Sequence, residues 1–184
     1  MTLRAFVAME LPPLVLDSLS SFLGQVSSVG ADLKVVEREN LHFTVKFLGE
    51  ITDAEAREAD SRLRRLRLPA IRVEVKGVGA FPELSRPRVV WAGAARGREG
   101  LVAAAQAIVD SLAGIGERDE RPFQPHVTVA RVRSAANIRG LQELVRDNSD
   151  RVFGEAGINE FKLKSSRLTP SGPIYSDAGA YPLT

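Results

Sequence analysis

The chain has 184 residues, 44% of them hydrophobic, and 25 Lys and Arg stand against 23 Asp and Glu for a net charge of +2. That length fits one ordinary domain, and the apolar share is enough to bury a sizeable core. The mild positive charge suits an anionic ligand but falls far short of a nonspecific nucleic-acid coat protein, and the absence of cysteine excludes disulfides, thiolate catalysis and cysteine-built zinc sites.

Leu3 to Ala8 read as a short apolar strand. Glu10 and Pro12-Pro13 interrupt this N-terminus too soon for a signal peptide, and no apolar run approaches a membrane span. A cytoplasmic setting is therefore expected. Pro12-Pro13 starts a helix in which Val15, Leu19, Phe22 and Val26 recur at three- and four-residue steps. An extended piece follows near Lys34 to Val36, then a strand beginning at His42. Thr52 and Glu55 form a capping box for a second helix, with Ala56, Ala59, Leu63 and Leu66 as its buried stripe. Ile71 to Val75 alternates apolar and charged residues as a strand does. Arg88 to Ala92 is a further strand. A helix then carries Leu101, Val102, Ala105, Ile108, Val109 and Leu112 on its apolar side, stopped by Gly114 and Gly116. His126 to Val132 is a strand, and Ile138, Leu141, Leu144 and Val145 mark a fourth helix. Strands near Ile158 to Lys164 and Ser166 to Thr169 and a Ser171-Gly172-Pro173 turn close the chain.

Both histidines of the chain lie in one small motif, Leu41-His42-Phe43-Thr44-Val45 and Pro125-His126-Val127-Thr128-Val129. Threonine occurs only six times, so its presence two places after each histidine has random odds of roughly one in a thousand at this composition. The motifs stand at matching points of an approximate repeat, residues 1–84 and 85–184 of a single domain. Each half runs strand, helix, motif strand, helix, strand. The order predicts an α+β fold of two pseudo-symmetric lobes, each an antiparallel sheet with outer helices, around a central cleft. Strand alternation puts His42 and Thr44 on one face with Phe43, Val45 and Phe47 behind, and His126 and Thr128 likewise with Val127 and Val129 behind.

A lone histidine on a half-buried strand is usually a polar residue with a hydrogen-bond partner. Two copies at matching points, holding every histidine in the chain, point instead to a site. No H-E-x-x-H, G-x-S-x-G or Walker loop occurs, and neither histidine has a carboxylate in ligand spacing, so no metal and no cofactor are expected. Lys46 shares the face of Thr44 if the strand stays regular, as a phosphate or RNA contact. Arg131 points away from His126 by strict alternation, so a site role for it requires a bulge or the strand's end. Tyr175 and Phe81 are candidates to stack a terminal base, with ordinary packing favoured for Phe81. Arg57, Arg62, Arg64, Arg65 and Arg67 fit a solvated helix face.

The paired H-x-T-h motifs resemble the signature of the 2H phosphoesterase superfamily. The wider match is similar to its RNA 2′,3′-cyclic phosphodiesterase branch, also called the 2′-5′ RNA ligase family. It is carried by Arg4-Ala5-Phe6-Val7-Ala8-Met9-Glu10-Leu11-Pro12, by Glu39 to Glu50 and by Gly77-Val78-Gly79-Ala80-Phe81-Pro82. Pro87-Arg88-Val89-Val90-Trp91-Ala92-Gly93, Phe123 to Val132 and Leu168 to Tyr175 extend it, so it spans the whole chain. Val35 stands about where the family often has tryptophan. The resemblance implies metal-independent opening of RNA 2′,3′-cyclic phosphate to a 2′-phosphate. It also implies His42 as proton donor and His126 as acceptor, roles that near-equivalent motifs do not distinguish by themselves. Thr44 and Thr128 are expected to bind phosphate oxygens. The alternatives are a small cyclic nucleotide or ADP-ribose cyclic phosphate as substrate, reversible 2′-5′ ligation, and a non-catalytic RNA-end binding module. No membrane association and no obligate protein partner are expected, and the chain is expected to be a monomer.

Overall fold

The structure, a computed structural model, describes residues 2–118, 122–170 and 172–184; Ser171 of the expected turn lies outside them. The elements run β1 (Thr2–Glu10), α1 (Pro13–Ser28), β2 (Leu33–Val35), a 3-10 turn (Arg38–Asn40), β3 (His42–Thr52), α2 (Asp53–Leu63) and β4 (Ile71–Phe81). Next come β5 (Val89–Ala94), α3 (Arg98–Ser111), β6 (His126–Val132), α4 (Ile138–Asp147), β7 (Val152–Ile158), β8 (Glu160–Thr169) and β9 (Gly172–Pro182). The start signals of α1 and α2 hold, whereas Leu66, expected on the buried stripe of α2, lies beyond its end at Leu63. Pro13 opens α1, with Val15, Leu19, Phe22 and Val26 buried. The Thr52 hydroxyl accepts from the Glu55 amide at 3.2 Å while the Glu55 carboxylate accepts from the Thr52 amide at 2.8 Å, so both ends of the capping box close on α2.

All the strand pairings are antiparallel, and one sheet results in the order β7-β4-β5-β6-β3-β1-β8-β9, with β2 beside β6. It is two four-stranded groups, β3-β1-β8-β9 and β6-β5-β4-β7, joined between β3 and β6 at a single register pair, Phe43 with Val127. The motif strands are thus innermost in both groups. Sequence halves and sheet groups do not coincide: β4, from the first half, pairs with β5 and β7, and β8, from the second, pairs with β1. The N-terminal group is completed by the C-terminal strands.

The helices cover the face on which Phe43 and Val127 point. α1 packs on β7 and β2, α2 on β3 and β1, α3 on β3 and β4, and α4 on β4. One continuous core results, with Leu19, Phe22, Leu48, Leu101, Ile108 and Leu141 fully buried. Val102, expected on the buried side of α3, is exposed, because Leu101, Ala104, Ala105 and Ile108 fill that side. The expected strand from Ile158 to Lys164 is divided at Asn159 between β7 and β8. Val152–Ile158 and Gly172–Pro182 are strands that alternation does not announce. No helix among the described residues is long and apolar enough to cross a membrane.

Candidate active site

Phe43 and Val127 are both fully buried. Residues flanking them on paired strands project to the opposite face. The single register pair therefore brings His42, Thr44, His126 and Thr128 to one face, at the line where the two groups of strands meet. All four are partly exposed.

Backbone groups fix both rings. His126 Nδ1 lies 2.6 Å from the Gln124 carbonyl. A carbonyl only accepts, so Nδ1 carries hydrogen and the neutral ring keeps its lone pair on Nε2. His42 makes a hydrogen bond with the Asn40 backbone that favours its charged form. Asn40 and Gln124 each precede their histidine by two residues, so the two rings are held alike. His42 Nε2 lies 2.9 Å from the Thr44 hydroxyl.

Aromatic rings dry the site. Phe6 stacks on His42 with centroids 5.2 Å apart and an angle of 24°, and Tyr175 meets the same ring edge-on at 5.8 Å. Phe81 stands edge-on to His126 at 5.0 Å and packs on Trp91. Burial pushes the His42 pKa down to about 4, with the Lys164 ammonium adding to the effect and Asn40 and Glu10 opposing it. Burial also lowers that of His126, aided by the Arg131 charge and opposed by the Gln124 carbonyl. Both shifts favour the neutral rings, and a phosphate anion beside a ring favours its protonated form.

The motif strands are not regular beyond the threonines. Register runs from Ala8 opposite Thr44 to Val7 opposite Lys46, leaving Val45 as an extra residue. On the other side it runs from Trp91 opposite Thr128 to Val90 opposite Ala130, leaving Val129 extra. A bulge in a strand reverses the facing of the residues beyond it. The two bulges fall at the same place in both motifs. Arg131 is thereby turned onto the face of His126, where its charge adds to the burial that lowers the His126 pKa and partly offsets the burial that raises that of the Tyr175 phenol. Lys46 is a correction to the alternation argument: it is 5% exposed and its Nζ donates to the Glu117 carbonyl at 2.9 Å. Phe47 is a second correction, since it faces outward at 52% exposure instead of packing behind the motif.

Tyr175, on β9, is brought beside both Phe6 and His42. Val35 packs against the core and pairs with Ala130. The helix arginines are largely engaged locally, Arg62 with Glu58 and Arg64 with Asp60.

Sequence reasoning missed a charged square next to His42. Lys164 Nζ donates to Glu10 Oε1 at 2.5 Å and Asp177 Oδ1 at 2.7 Å. Lys162 Nζ contacts Glu10 Oε2 at 2.8 Å and Asp177 Oδ2 at 2.9 Å. Each carboxylate bridges both ammoniums, tying β1, β8 and β9 together, and Glu10 is the register partner of His42. Only the position of Glu10 at the polar end of an apolar strand hinted at this. Among the described residues no three His, Asp or Glu side chains converge to hold a metal ion.

Two imidazoles and two hydroxyls on one face of a two-lobed antiparallel sheet define the 2H phosphoesterase class. A family model described as LigT like Phosphoesterase matches residues 10–91 and again 94–175, and the chain belongs to that family. An RNA 2′,3′-cyclic phosphodiesterase from Aeropyrum pernix is 37% identical over 158 residues, covering 85% of this chain and 90% of the relative. That of Methanothermobacter thermautotrophicus is 35% identical over 185 residues and covers both chains completely. TT0787 of Thermus thermophilus matches with a TM-score of 0.80 at 31% identity over 98% of this chain and 97% of its own. Escherichia coli LigT, solved with 3′-AMP, shares the fold with a TM-score of 0.82 at 24% identity, covering 100% of this chain and 99% of that one.

Proposed function

We propose that this protein hydrolyses 2′,3′-cyclic phosphate at the ends of RNA to a 2′-phosphate, with no metal. The observation that carries the reading is the convergence of His42, Thr44, His126 and Thr128 on one face at the Phe43–Val127 pair. Relatives at 35–37% identity, over most or all of their length, are named RNA 2′,3′-cyclic phosphodiesterase.

Water attacks phosphorus in line with the departing ribose 3′-oxygen. His126 accepts the water proton at Nε2, the nitrogen its Gln124 contact leaves free. The P–O3′ bond breaks, and His42 gives its proton to that oxygen. His42 is neutral in the empty cleft and takes up this proton when the phosphate anion enters. Each proton transfer contributes about 10²- to 10⁴-fold. The Thr44 and Thr128 hydroxyls donate to the nonbridging oxygens, where charge grows in the transition state. Arg131 and Tyr175 border the same space, whereas Lys46 anchors the chain at Glu117 behind it. The cleft acts on one RNA end in the cytoplasm as a monomer.

The test is incubation of the protein in EDTA with an oligonucleotide ending in 2′,3′-cyclic phosphate, with mapping of the product. Full activity and a 2′-phosphate product are expected. Loss of rate in EDTA that zinc or manganese restores overturns the two-histidine scheme. Turnover confined to free cyclic mononucleotides or ADP-ribose cyclic phosphate moves the substrate, and joining of a 5′-hydroxyl RNA moves the direction.

A further inference from the structure

An RNA end differs from a free cyclic nucleotide in one respect that the H-x-T residues do not read. The chain continues, and it carries a further phosphate one nucleotide away from the reacting one. A cleft that distinguishes the two needs positive charge along the strand's path, set apart from the histidines. The bulge at Val129 supplies one such charge by turning Arg131 onto the cleft face.

The short strand β2 supplies a second. It joins the sheet through β6, and its register sets Lys34 opposite Arg131. Leu33 and Val35 pack against the core, so Lys34 between them projects to the other face, where it is exposed. Directly opposed residues on one face have Cβ atoms about 4.5–5.5 Å apart, and like charges so placed are destabilising. An anion held between the two cations removes that repulsion. Lys34 also reaches away from the β6 group of strands: a Cβ placed on Gly172, the first residue of β9, would lie 3.4 Å from its Nζ. Its ammonium thus stands beside the strand that carries Tyr175, at the line where the two groups of strands meet. By contrast, the Lys162 and Lys164 ammoniums are each bridged by Glu10 and Asp177.

We propose that Lys34 and Arg131 form a subsite for the phosphodiester on the 5′ side of the terminal nucleotide, and that Lys34 makes the cleft prefer RNA chain ends to mononucleotides. This rests on the reading of the site as a cyclic phosphodiesterase. A mononucleotide, whose one phosphate is held at the histidines, leaves Lys34 without an anion.

The experiment compares Lys34→Met and Lys34→Arg with wild type on three substrates. These are adenosine 2′,3′-cyclic phosphate, adenylyl-adenosine 2′,3′-cyclic phosphate, and the same dinucleotide with a neutral methylphosphonate between its nucleosides. An exposed charge contact is worth up to about fivefold. Lys34→Met is expected to lose about three- to fivefold in kcat/KM on the charged dinucleotide, mainly through KM, and to change little on the other two. On the charged dinucleotide its slope of log kcat/KM against log salt should become shallower by about 0.7, the share of one single-strand phosphate. Lys34→Arg is expected to keep both the rate and the slope. Equal losses on all three substrates, no loss on the charged dinucleotide, or an unchanged salt slope would overturn the subsite. So would a loss selective for the charged dinucleotide in Arg4→Met in place of Lys34→Met, Arg4 being the other cation that acts on the Tyr175 phenol. If wild type opens none of the three, the hydrolase reading fails by itself. The subsite is then judged by calorimetry, where Lys34→Met must weaken adenylyl-adenosine 2′-monophosphate about threefold more than adenosine 2′-monophosphate; equal weakening overturns it.

Discussion

His42 stands between opposed charges in a dry setting. Phe6 and Tyr175 exclude water from the ring, which drives its pKa down, and the neighbouring square then supplies charges of both signs. The Lys164 ammonium lowers it further and the Glu10 carboxylate raises it. Tyr175 and Thr44 touch the ring itself, and Lys162 and Asp177 form the other two corners of the square. Because the square is neutral as a whole, removing one corner unbalances it. Glu10→Gln leaves the Lys164 charge less opposed and should lower the His42 pKa. Lys164→Met leaves Glu10 and should raise it. A purely structural role predicts something else: either change loosens the strands, admits water and raises the pKa in both. Titration of the His42 ring by NMR separates the two accounts, and shifts of the same sign in both variants would sink the electrostatic one.

At the scale of elements, the sequence and the structure agree where a buried face forces a pattern. α1 carries its stripe and its proline start openly and α2 its capping box, and the motif strands β3 and β6 are legible because Phe43, Val45, Val127 and Val129 must reach the core. The strands that alternation misses, β7 and β9, are the two edges of the sheet. An edge strand has one unpaired side and less surface to bury, so Gly154, Gly157, Pro173 and Gly179 are tolerated there. The bulges are also invisible, since Val45 and Val129 look like ordinary strand residues. Hence pattern alone places the four H-x-T residues correctly, while it gives Lys46 and Phe47 the wrong face. The bulged end of β3 depends on the loop after α3. The Glu117 amide donates to the Leu48 carbonyl at 2.9 Å and Lys46 donates to the Glu117 carbonyl. Gly116, at φ +65°, lies so close that a Cβ would overlap that Leu48 carbonyl. Gly116→Ala should therefore destabilise by about 2 kcal/mol or more, combining left-handed strain with displacement of the contact. Gly114, at φ +82° with open space around it, incurs only the strain, about 1 kcal/mol. Denaturant unfolding of both variants checks this, and equal losses would mean that contact with Leu48 contributes nothing.

Across the whole molecule, the groups that build the site also set how the fold responds to acid. His42 and His126 have folded pKa values below the ordinary 6.5, that of His42 at about 4. In that window the unfolded chain binds more protons than the folded one, so stability rises with pH and falls on acidification. The carboxylates act lower down. Glu10 and Asp177 are partly buried, yet the Lys162 and Lys164 bonds hold them below their usual 4.5 and 3.8, and Arg64 and Tyr181 do the same for Asp60. Their stabilisation is present above those ordinary values and disappears as pH falls through the folded ones. Acid should therefore weaken the protein in two stages, first through imidazole protonation between about pH 6.5 and 4, then through loss of the carboxylate pairs. His42→Phe removes the larger contributor to the first stage while keeping an aromatic ring against Phe6. Its Tm should fall less than that of wild type between about pH 7 and pH 4.5, and the two should fall in parallel below that. If the wild-type and His42→Phe curves run parallel across the upper window as well, the fold does not hold the His42 pKa below its ordinary value, and the ring takes up the proton it delivers without first overcoming a burial penalty.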